Sequence, residues 1–88
     1  MSVKIIVPAS LHEITASRVV EVNGATVKEA MDDFTGRFPG AYEKLFGADG
    51  KLLPYIQVFL NKGGSAAEME TRVKDGDEIW LLFVIQGG

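Results

Sequence analysis

Few groups in this 88-residue sequence could make or break a bond. There is no cysteine, which removes thiolate nucleophiles, thiolate metal sites, disulfides and any internal sulfur donor. The single histidine, His12, stands beside Glu13 in a polar stretch, without the further ligands a metal ion needs nearby, so it reads as solvated surface. Asp75, Asp77 and Glu78 cluster three carboxylates, but their spacing is not that of an EF-hand loop. They read as a tight turn leading into a strand, with carboxylates available to a basic partner; Arg72 and Lys74 read as solvated charges. No metal site is expected. No glycine loop followed by lysine cradles a phosphate, and no nucleophile-base pair is evident. What remains is the carboxylate that follows Gln86-Gly87-Gly88. An α-carboxylate titrates at about 3.3–3.7, so near neutrality it is ionised and a poor electrophile until activated. Glycine has no Cβ to obstruct a narrow passage, and four extended residues reach about 13 Å. A terminal Gly-Gly arises by chance in about one chain in two hundred, so the dipeptide carries weight only together with the fold that delivers it.

Composition bounds that fold. At 47% hydrophobic and 24% charged residues the chain has a globular balance, and its length allows one domain with a modest core. A chain of this size is better suited to being handled by a larger partner than to enclosing a deep pocket of its own. The net charge of −3 argues against nucleic acid, which requires a basic face to displace counterions. No run approaches the roughly 18–20 apolar residues of a membrane span, and Met1-Ser2-Val3-Lys4 enters a strand-like run without the features of a signal peptide. No membrane association is expected, and a cytoplasmic location is.

The elements that must position the tail follow from periodicity. Val3 to Pro8 alternates and is rich in β-branched residues, and Arg18 to Val22 repeats the pattern; the polar stretch between them suits a hairpin loop. After Asn23-Gly24, Thr26 and Glu29 form a capping-box pair. Val27, Ala30, Met31, Phe34 and Phe38 then recur at helical spacing. Pro39 ends that helix and begins a shorter helical segment, in which Tyr42, Leu45 and Phe46 are expected to cover one edge of the core. Tyr55 to Leu60 alternates as a strand, with Ile56, Val58 and Leu60 on one side. Asn61-Lys62-Gly63-Gly64 is a turn, residues 65–77 read as polar and irregular, and Glu78 to Ile85 is the final, most apolar strand. A hairpin, a helix and further strands give an α+β layout. The compact solution is a β-grasp: a mixed sheet of four to five strands, one main helix across one face and a short second helical segment.

These residues carry a resemblance. Asp75-Gly76-Asp77-Glu78-Ile79, an apolar strand, and Gly87-Gly88 at the end resemble the ThiS/MoaD family of ubiquitin-like sulfur carriers over essentially the whole chain. The stretch from Phe38-Pro39-Gly40 to Gly50-Lys51-Leu52 is similar to the longer members, such as the molybdopterin synthase small subunit and the carriers of cysteine synthesis. The chain departs from the family in lacking a proline before the glycines and acidic residues after Asn61. The resemblance implies residues 1–85 as a ubiquitin-like domain and 86–88 as a flexible tail. It implies that Gly88, with Gly87 behind it, is the reacting end of a carrier that is not itself an enzyme. A ubiquitin-activating-like partner would adenylate the carboxylate with ATP, and sulfur would displace AMP to leave a thiocarboxylate for a sulfur-accepting synthase. No cofactor would be bound by this chain. The same glycine would serve a protein modifier joined to target lysines, and a third reading is an interaction module with an incidental tail.

By analogy with that family, Ile79, Leu81 and Phe83 lie under the helix. Trp80, Leu82 and Val84 then share the opposite face of the last strand, beside Phe59 and Ile6. Trp80, Leu82, Val84, Phe59, Ile85 and Gln86 are the expected partner-binding residues, since an exposed apolar patch marks a contact site. The alternative is that residues 61–77 or 40–54 cover that face as a second small core.

Overall fold

Alternating apolar residues leave each strand with one face to bury, and the computed structural model, which describes residues 2–84, shows how they do so. Strands β1 (Ser2–Ile6), β2 (Val19–Asn23), β3 (Ile56–Leu60) and β4 (Glu78–Phe83) form one sheet in the order β2-β1-β4-β3. The two outer pairs are antiparallel and the central β1–β4 pair is parallel, so the sheet is mixed. Val3 and Ile5, Val20 and Val22, Ile56 and Val58, and Ile79 and Leu81 all point to the same side and are buried. Helix α2 (Val27–Arg37) covers them with Val27, Ala30, Met31 and Phe34, and α3 (Pro39–Leu45) adds Ala41 and Leu45. This is the β-grasp arrangement, with four strands.

The start of α2 shows why the helix begins where it does. Thr26 Oγ1 accepts from the Glu29 amide at 3.1 Å, while the Glu29 carboxylate reaches back to the Ala25 amide at 3.0 Å. The box therefore closes one residue earlier than its usual form, which returns to the capping residue itself. The Val27 and Lys28 amides donate to the carbonyls of Thr71 and Met69, both at 2.9 Å, so the first three helical N–H groups all have partners. The 65–77 stretch is thus a structural strap rather than a loose link, and it buries Val73. At the other end Phe38 is the last capping position before Pro39, as the proline requires.

Three sequence expectations are corrected by the structure. The polar stretch after β1 is not a simple hairpin loop. A turn of 3-10 helix (Ala9–Leu11) and a one-turn helix α1 (His12–Thr15) fold inward and bury Leu11 and Thr15. His12 is accordingly half-buried rather than solvated, and its Nε2–H donates to the Val7 carbonyl at 3.0 Å. A carbonyl can only accept, which fixes this nitrogen as the protonated one. Tyr42 is not in the core either: it is exposed, and its ring stacks on half-buried Phe46 with centroids 5.0 Å apart.

Thr26→Ala is expected to cost about 1 kcal/mol through loss of the cap. Phe34→Ala, at a position with no solvent exposure, is expected to cost about 3–5 kcal/mol. Urea unfolding midpoints at constant slope check both values.

Candidate functional site

The strand registers determine what the uncovered face of the sheet displays. Val19 pairs with Ile6, Ile6 with Trp80, and Trp80 with Phe59, so one apolar row crosses all four strands in sheet order. The neighbouring row is polar: Glu21 pairs with Lys4, Lys4 with Glu78, and Asn61 donates its amide to the Glu78 carbonyl at 2.7 Å. On the other side of the apolar row, Leu82 lies opposite Gln57 and is 46% exposed; Val84, 39% exposed, donates its amide to the Tyr55 carbonyl. The open face is therefore divided into an apolar part toward the C-terminal end of β4 and a charged part toward its start.

Trp80, Leu82 and Phe59, expected to come together, do so, lining a shallow depression of about 260 Å³ whose lip is the turn Asn61–Gly64. Leu82 and Val84 remain exposed, so neither 61–77 nor 40–54 closes this face into a core. Ala41, Leu45, Leu52 and Leu53 instead pack into or against the helix-side core. Phe83, expected under the helix, is half-buried and meets Tyr55 edge-on at 6.1 Å. Ile85, Gln86, Gly87 and Gly88 lie outside the described residues.

The lip is tightly specified. Asn61 takes a left-handed conformation with φ 64°, which asparagine tolerates better than most residues. The Gly64 amide donates to the Asn61 carbonyl at 3.0 Å. A Cβ at Gly64 would fall 1.7 Å from the Leu60 carbonyl oxygen, so glycine is required there by space. Beyond it the chain turns back along β3, with the Leu60 amide donating to Ser65 and the Ala67 amide to Val58.

The acidic turn is structural. Asp77 accepts from the Lys74 amide at 2.8 Å and from the Asn61 side-chain amide at 3.3 Å, and Asp75 accepts from the Ser2 amide at 2.9 Å. Arg72 and Lys74 are exposed, as expected. Glu78, which the sequence places where the turn enters the last strand, accepts from the Trp80 indole N–H at 3.0 Å, a contact not drawn from the sequence. The signal was available: residues two apart on a strand share a face. Among the described residues no group of three or more metal-ligating side chains converges, and no helix is long and apolar enough to cross a membrane.

A second cleft, of about 460 Å³, opens on the helix side between α2, Tyr42, Phe46 and the strap at Met69. The exposed Lys28 and Asp32 side chains line it, and their 2.8 Å hydrogen bond, with the attraction between the charges, raises the Lys28 ammonium above its ordinary pKa.

A β-grasp domain with one covered face and one half-apolar open face is the architecture of small ubiquitin-like carriers and modifiers. Within that class the chain belongs to the ThiS family, whose profile matches residues 5–88. It is 37% identical to small archaeal modifier protein 1 of Haloferax volcanii over 83 residues, covering 91% of this chain and 93% of that one. The crystal structure of that modifier superposes with a TM-score of 0.87 at 35% identity, covering 100% of both chains. A protein of Archaeoglobus fulgidus, provisionally named a sulfur carrier, is 29% identical with 100% of both chains covered. The BexX/CysO complex of Amycolatopsis orientalis contains a chain that superposes with a TM-score of 0.79 at 34% identity, covering 98% of this chain and 99% of that chain.

Gly64→Ala should lower stability by about 1–3 kcal/mol by forcing the lip away from Leu60. Leu82→Lys, on the open face, should change it by less than about 0.5 kcal/mol. Urea titrations followed by backbone circular dichroism distinguish the two.

Proposed function

We propose that this protein is a sulfur carrier whose Gly88 carboxylate is activated by a partner enzyme and converted to a thiocarboxylate. The observation that carries this reading is that the family match runs to residue 88, so that Gly87-Gly88 falls inside the region shared with the family rather than beyond it. The A. fulgidus relative, named for sulfur carriage and covered end to end, supports it. In the activating step a carboxylate oxygen attacks the α-phosphorus of ATP and pyrophosphate leaves. The resulting acyl adenylate has a good leaving group where the free carboxylate had none. A sulfur nucleophile supplied by the partner then attacks the carbonyl carbon and expels AMP, leaving sulfur in place of one oxygen.

The chain's own contribution is delivery. β4 is a central strand held by neighbours on both sides, a firm base for the residues that follow it in the sequence. The Trp80, Leu82, Val84 and Phe59 surface at the end of β4 provides the docking area, so an adenylating enzyme can grip the domain while its cleft takes the tail. That the CysO chain of A. orientalis was crystallised in complex with BexX supports partner docking by a domain of this shape.

The 37% identity with a modifier protein favours a second use of the same activated end, transfer to a lysine amine of a target protein. Intact mass of the protein from its own cells separates the two: one sulfur-for-oxygen exchange marks the carrier, whereas isopeptide-linked conjugates mark the modifier. Deleting Gly88 should abolish ATP–pyrophosphate exchange with the adenylating enzyme encoded in the same genome. Exchange that survives the deletion rules out both uses.

A further inference from the structure

The open face carries a polar network beside its apolar row, and that network sets the shape of the row. Trp80 is the only tryptophan. Its ring is half-buried between Ile6 and Phe59 in the register of the sheet, and its indole N–H is held at 3.0 Å by Glu78 on the same strand face. A buried or half-buried indole has one polar atom, and whichever acceptor takes it decides how the ring lies. Without Glu78 the N–H would seek water, and the ring would be free to leave the depression it walls.

The same residue is tied to the opposite wall. The Glu78 amide donates to the Asn61 side-chain oxygen at 3.0 Å, and the Asn61 amide donates back to the Glu78 carbonyl at 2.7 Å. The Asn61 side-chain nitrogen donates to Asp77 at 3.3 Å. Glu78 thus stands at the junction of both walls: its side chain orients Trp80, and its backbone anchors the 61–64 lip.

We propose that Glu78 is a positioning residue for partner docking, its carboxylate holding Trp80 opposite the Asn61–Gly64 lip in the preformed depression that receives an apolar side chain of the adenylating enzyme. This rests on the reading of the Trp80 face as the docking surface. The carboxylate acts through Trp80 and makes no contact with the reacting Gly88. Two properties distinguish this role from a charge contact with the partner. Glutamine keeps an acceptor oxygen and loses the charge, so it should suffice. Removing the indole N–H should make Glu78 irrelevant to docking.

The test uses the full chain in three variants, Glu78→Gln, Glu78→Ala and Trp80→Phe, and the double variant Glu78→Ala/Trp80→Phe. In the free protein, solvent exchange of the indole N–H should rise severalfold in Glu78→Ala and stay near the parent rate in Glu78→Gln. In ATP–pyrophosphate exchange with the adenylating enzyme of the same genome, Glu78→Ala should raise KM for the carrier roughly fivefold at unchanged kcat, the worth of one hydrogen bond. Glu78→Gln should leave KM near the parent value, and Glu78→Ala should add nothing in the Trp80→Phe background. An unchanged KM in Glu78→Ala despite faster indole exchange overturns the positioning role. So does a KM in Glu78→Gln as high as in Glu78→Ala, which would make the charge itself a partner contact. The Gly88 deletion tests the carrier reading separately, since it addresses the reacting group and leaves this surface untouched.

Discussion

The parallel pairing of β1 with β4 holds the rest of this molecule in place. Among the described residues it is the only ladder joining the N-terminal hairpin to the β4–β3 pair. Its register sets Ile5 beside Ile79 in the core and Ile6 beside Trp80 outside it. A slip of one residue would exchange the faces of β4, exposing Ile79 and Leu81 and driving Trp80 under the helix. The acidic turn guards against that slip. Asp75 holds the Ser2 amide, the Gly76 amide donates to the Ser2 carbonyl at 2.8 Å, and the Lys4 amide donates to the Asp77 carbonyl at 2.9 Å. Three contacts thus fix the start of β4 against the start of β1 before the apolar residues are reached.

With the register fixed, the two faces of the sheet have different tasks. The inner face is aliphatic and closed by Phe34 and Met31, both without solvent exposure. The outer face has no helix over it, and its apolar row lies next to a row in which Lys4 faces Glu21 on one strand and Glu78 on the other. Such a boundary limits how a partner can approach: an apolar surface placed over Trp80 is favourable, and the same surface moved one row along would desolvate charged groups. The preferred placement of an apolar surface on this face thereby follows from the chemistry of two adjacent rows.

Much of this was legible from residue types alone because the signals were local and periodic. The strand alternation of β3 and β4, the cap at Thr26 and the stop at Pro39 are settled within a few residues of chain. The inward turn at Leu11 was missed because one apolar residue in a polar stretch has no period. The strap was missed for a related reason: Val73 is a single buried residue, and the bonds from Val27 and Lys28 to Thr71 and Met69 join segments more than 40 positions apart. Tyr42 was misplaced because helical spacing tells which side of a short helix a residue shares, not whether anything packs over it. The bond from Trp80 to Glu78 was not drawn because strand alternation puts the two residues on one face without showing that their side chains meet.

The central place of β4 has a consequence for how the protein comes into being. Among the described residues it is the last strand in sequence and yet sits between β1 and β3, so during synthesis the sheet stays split until that segment clears the ribosome. A nascent or prematurely ended chain lacks the strand that unites the two halves, and it lacks the depression made by Trp80 and Leu82 as well. The open-face depression and the union of the two halves of the sheet are therefore completed together. Any partner that requires the depression is confined, by the topology of the sheet, to chains in which β4 has paired with both neighbours.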